Sequence, residues 1–67
     1  MPNQGNIKAK SLTILEDQMT HEYLSWKKAE HYAETFQNST LKTMASDISQ
    51  CHRQRFNRLF DYLNSHA

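Results

Sequence analysis

Pro2 and Gly5 are the only proline and glycine in the chain, so from Asn6 to Ala67 neither of the two strongest backbone breakers occurs. A fold of many short strands needs turn punctuation that this stretch lacks. The apolar residues point the same way. They make up 37% of the 67 residues, include no valine and only three isoleucines, and therefore suit helices better than strands. The length allows one small domain. The longest apolar runs are two residues, which excludes a transmembrane helix and a signal peptide from this stretch. Eight basic and seven acidic side chains give a net charge of +1, so no general electrostatic pull toward nucleic acid is present. A single cysteine, Cys51, forms neither an internal disulfide nor a cysteine-based zinc site, and it fits a reducing cytoplasm.

Residues 1–10, MPNQGNIKAK, read as a flexible polar tail in which Ile7 is the one sizeable apolar residue. From residue 11 the helical period sets in. Ser11 or Thr13 offers an N-cap, and Thr13-Ile14-Leu15-Glu16 matches a capping box. Steps of three and four then give Leu12, Leu15, Met19, Glu22, Trp26, Ala29, Ala33 and Phe36, an amphipathic stripe that predicts a helix over about 12–37. Gln37-Asn38-Ser39-Thr40 interrupts the period: Asn38 suits the end of the first helix, and Ser39 or Thr40 the start of the next. A second stripe runs through Leu41, Ala45, Ile48, His52, Arg55, Leu59 and Tyr62 and predicts a helix over about 40–64, with His66 complementing its C-terminus. Two long helices joined by a few residues fold back as an antiparallel hairpin.

Each helix of a hairpin buries only one side, and these stripes are wider than one seam. The expectation is an all-α fold in which two hairpins pack as a homodimeric four-helix bundle. Leu15, Met19, Trp26, Phe36, Ile48, Phe56 and Leu59 are the residues expected in its core.

Three polar residues interrupt the stripes: Glu22, His52 and Arg55. In a hairpin turning near Asn38, Glu22 comes level with the His52–Arg55 turn. One reading is a buried polar cluster, a Glu22–Arg55 ion pair with His52 hydrogen-bonded beside it, which fixes the register of the helices. The other is a metal site, in which Glu22 and His52 of two copies converge on a two-fold axis and bind iron or zinc. The permanent charge on Arg55 favours the first.

These positions carry a resemblance. Carboxylate-bridged di-iron proteins of the ferritin and rubrerythrin type place a Glu on one core helix and Glu-x-x-His on the next. Glu22-x2-Ser25-x3-Ala29-x3-Ala33 followed by Leu41-x3-Ala45-x2-Ile48-Ser49-x2-His52-x2-Arg55 resembles one such helical pair. Glu22 falls on the first carboxylate, whereas His52 falls on the expected Glu and Arg55 on the expected His. The chain is also similar to the small ferritin-like proteins related to spore coat protein F. That similarity lies in Leu15-Glu16-Asp17-Gln18 through Tyr23-Leu24 and in His52-Arg53-Gln54-Arg55-Phe56-Asn57-Arg58-Leu59. It implies a ferritin-like bundle with a structural or accessory role in a spore-forming bacterium, in the cytoplasm or associated with the spore.

No catalytic apparatus is visible: the sequence holds no glycine-rich phosphate loop and no G-x-S-x-G. Cys51 and His52 are neighbours about 100° apart on a helix and make no nucleophile–base pair, so Cys51 is expected to pack at the stripe edge as a small apolar residue. Asp17 and His21, at four-spacing, suit a weak surface contact. Arg53, Arg55 and Arg58 lie among acidic neighbours, as on an ordinary solvated face. The expectation is a non-enzymatic protein without a cofactor that binds neither nucleic acid nor membrane. An adaptor whose apolar stripe engages another protein is the remaining alternative.

Overall fold

The computed structural model describes residues 8–66, with the side chain of His66 left aside. Two helices account for nearly all of them: α1, Ala9–Thr35, and α2, Ser39–His66. They form an all-α antiparallel hairpin measuring 50 × 16 × 11 Å. Residues 1–7 of the expected tail, Ile7 included, and the His66 side chain lie outside the described residues, whereas Ala9 and Lys10 are already helical.

α1 therefore starts three residues before the predicted boundary, and the capping box does not form. Lys8 is the N-cap, in extended backbone, and makes no side-chain cap hydrogen bond. The first helical bond runs from the Leu12 N–H to the Lys8 carbonyl at 2.8 Å. Thr13 lies inside the helix, where its hydroxyl donates to the Ala9 carbonyl at 3.1 Å. A capping threonine needs free N–H groups ahead of it, and one turn into a helix those groups are already bonded.

The reversal is built from local hydrogen bonds. Phe36 turns to extended backbone while its N–H still reaches the Tyr32 carbonyl at 2.9 Å. Asn38, expected to end α1, instead starts α2: its Oδ1 accepts the Leu41 N–H at 3.0 Å, and its carbonyl accepts the Lys42 N–H at 2.9 Å. This is an N-cap. The last turn of α1 has no basic residue of its own. Lys42 of α2 supplies one, donating from Nζ to the Ala33 carbonyl at 2.7 Å, so a cation meets the negative end of the α1 dipole.

Small side chains line the seam between the helices. Ala29, Ala45 and Ser49 are buried, and the Ser49 hydroxyl donates to the Trp26 carbonyl at 3.3 Å. Alanine and serine let the backbones approach closely, which leaves the larger apolar residues no room in the seam and sends them to its two flanks. Ala29 and Ala45 are the buried apolar residues among those described, and no large side chain is fully enclosed.

Candidate functional site

Glu22 is 5% exposed, the most conspicuous feature of the seam, because a carboxylate is rarely buried unless it is partnered. Both of its oxygens have partners. Oε1 lies 2.5 Å from His52 Nδ1, and Oε2 accepts from Gln18 Nε2 at 2.8 Å. Gln18 stands one turn before Glu22 on α1, and His52 faces it from α2. The hydrogen bond from His52 holds the Glu22 carboxyl below the usual glutamate range. Burial alone would raise it, and the Gln18 amide and the charges of His52 and Arg55 act with the hydrogen bond. Glu22 and His52 stand at the midpoints of α1 and α2.

The expected Glu22–Arg55 ion pair is not made. Arg55 is exposed and acts on Glu22 only through its charge, so it does not belong to a buried cluster. The reason is rotational: three residues beyond His52, Arg55 lies about 60° further round α2, away from the seam. The register that the sequence implied is nevertheless the one observed, with Glu22 meeting the His52 turn. His21 packs edge-on against His52, ring centroids 6.5 Å apart, a contact that no spacing in the sequence announces, because His21 lies about 100° round α1 from Glu22. Among the described residues no group of three or more histidine, cysteine, aspartate or glutamate side chains stands together to hold a metal ion. A single chain thus brings together only the two named candidates, Glu22 and His52, with both carboxylate oxygens already engaged.

Cys51 is exposed, not packed at the stripe edge, because it lies on the outer side of His52.

The seven residues expected in one dimer core fall on different parts of the hairpin. Phe36 and Ile48 line a groove of about 350 Å³ on one flank, whose floor is Ala29 and Ala45. Met19 and Phe56 line a groove of about 430 Å³ on another, beside Tyr23, Phe60 and Leu63. Trp26 belongs with the second set, packing against Tyr23 at 5.6 Å and Phe56 at 5.9 Å. Its ring also takes the Lys27 ammonium at 4.8 Å and the Arg53 guanidinium at 5.8 Å. Leu15 and Leu59 are half-buried toward the open end of the hairpin. Both flanks stack rings within the chain, Tyr32 on Phe36 at 5.4 Å on the first, but the first also leaves Tyr32, Leu41, Met44 and Ile48 exposed beside an alanine floor.

Among the described residues no helix is long and apolar enough to cross a membrane. No family model, curated protein or solved structure matches the chain.

Proposed function

We propose that this chain is a non-enzymatic structural or interaction protein that acts as a homodimer, two hairpins closing into a ferritin-like four-helix bundle. The resemblance to the spore coat protein F group extends this reading to an accessory role in a spore-forming bacterium, in the cytoplasm or on the spore. One observation carries the dimer. Among the described residues the buried apolar ones are two alanines, while ten large hydrophobic side chains are at least 37% exposed. At roughly 25 cal/mol for each Å² of apolar surface, so thin an interior offers little against the entropy of ordering two long helices. A second copy supplies the missing apolar contact at no cost in new sequence.

Unfolding followed by circular dichroism tests this. For a dimer that folds on association, the midpoint temperature rises by several degrees between about 1 µM and about 100 µM chain. A midpoint independent of concentration, with full helix content at the lowest, contradicts the dimer. Low helix content restored by a co-purifying protein favours the adaptor instead.

A further inference from the structure

Resting on the homodimer reading, we infer that the second copy covers the flank carrying Tyr32, Met44 and Ile48, with its turn at the opposite end, so that the two Glu22–His52 pairs meet at the two-fold axis. Four features select this arrangement.

The first is the pattern along that flank. Near the turn it is apolar, with Tyr32, Met44 and Ile48 exposed. Ile14 stands about five helical turns from Tyr32 along α1, and Tyr62 about five turns from Met44 along α2, so each shares a face with its counterpart. Both are exposed as well, Ile14 at 59% and Tyr62 at 44%. Between the two apolar ends lie Gln18, His21, Ser25, His52 and Arg55. The sequence along the face is apolar, polar, apolar.

The second is where the polar layer sits. A two-fold axis crossing the helices reverses each one upon its copy, and polar meets polar only if the layer is at the midpoint. Glu22 and His52 stand at the midpoints of α1 and α2. With both turns at the same end, every level meets its own level and the layer could lie at any height.

The third is shape. The alanine-floored groove lies at the turn end, and reversal brings the larger Ile14 and Tyr62 of the other copy over it. Turns at the same end would set groove against groove.

The fourth is charge. Reversal brings exposed Lys28 level with the other copy's exposed Asp17, and exposed Asp47 level with its exposed Arg58. Opposite charges also align with the turns together, so charge argues for a second copy and the other features for its direction. The opposite flank does not repeat this pattern: its aromatic cluster of Tyr23, Trp26 and Phe56 stands near the helix midpoints, Met19, Phe60 and Leu63 continue it toward the open end, and Glu30 and Ser46 follow toward the turn.

Cysteine cross-linking of the full chain, oxidised with copper–phenanthroline and read on a non-reducing gel, tests the arrangement. Cys51 is exposed, sits within two residues of the α2 midpoint, and lies on the outer edge of the covered flank. In the reversed dimer the two Cys51 thiols lie near the axis on the same edge. They lose two protons and two electrons to the oxidant and form a disulfide. Two comparison chains carry Cys51→Ala with either Gln50→Cys, exposed on the far side of α2, or Gln37→Cys, exposed at the turn. The expected result is a covalent dimer from Cys51 at a yield at least about tenfold above both comparison chains. Equal or greater yield from Gln50→Cys overturns the face, and equal or greater yield from Gln37→Cys overturns the direction. Absence of any cross-link from a chain that sediments as a dimer overturns this geometry while leaving the homodimer standing. A chain that sediments as a monomer overturns both.

Discussion

At the scale of single residues, the Glu22–His52 contact links two side chains across the middle of the seam, one turn from the Ser49 hydroxyl on the Trp26 carbonyl. Truncating either side leaves the other without its buried partner, which costs about 1–3 kcal/mol. A double-mutant cycle of Glu22→Leu and His52→Leu should therefore show a coupling of about 0.5–3 kcal/mol in chemical unfolding. The same cycle with Arg55→Leu in place of His52→Leu should be additive within about 0.5 kcal/mol, because Arg55 is exposed and touches Glu22 only through its charge. The pH dependence follows from the same contact. The Glu22 carboxyl is held low in the folded chain, chiefly by His52. Its contribution to stability is complete above the unfolded glutamate value, about 4.3, and is lost as the pH falls through the lower folded value. Midpoints measured from neutral pH downward should decline below that region, and Glu22→Gln should flatten the decline; an unchanged slope would show that other carboxylates cause it. Glu22 and His52 were legible in the sequence as polar breaks in two apolar stripes at matching distances from the turn. Arg55 shares the stripe with His52 but lies about 60° further round α2, so periodicity alone does not separate the partner of Glu22 from its neighbour. The same spread round the helix leaves Cys51 exposed.

At the scale of elements, the absence of internal breakers and the apolar period define two helices and one reversal. Their ends were less legible, because caps depend on which N–H groups are left free, and that depends on where the helix has already begun. Thr13-x-x-Glu16 has the composition of a capping box, yet Ala9 and Lys10 extend α1 past it. Asn38 has the composition of either terminus and takes the start of α2. Asn38→Ala should cost about 1 kcal/mol in chemical unfolding, the ordinary loss of a capping side chain. A value near zero would mean that the reversal is held by Lys42 on the Ala33 carbonyl alone.

At the scale of the whole molecule, seam composition decides what the surface carries. Ala29, Ala45 and Ser49 bring the helices close, and that closeness moves the bulky residues outward to two flanks. The sequence displayed a surplus of apolar surface but not its division, since the seven residues expected in one core come from two helices and do not share a face. One flank spends its aromatic groups on contacts within the chain. The other repeats an apolar–polar–apolar pattern about the helix midpoints and leaves Ile14, Tyr32, Met44, Ile48 and Tyr62 exposed. The central claim is that a second hairpin covers it. Sedimentation equilibrium of the full chain at neutral pH measures this most directly: a mass of twice 7.9 kDa across the micromolar range is the expected result, and 7.9 kDa with intact helix content would contradict the account.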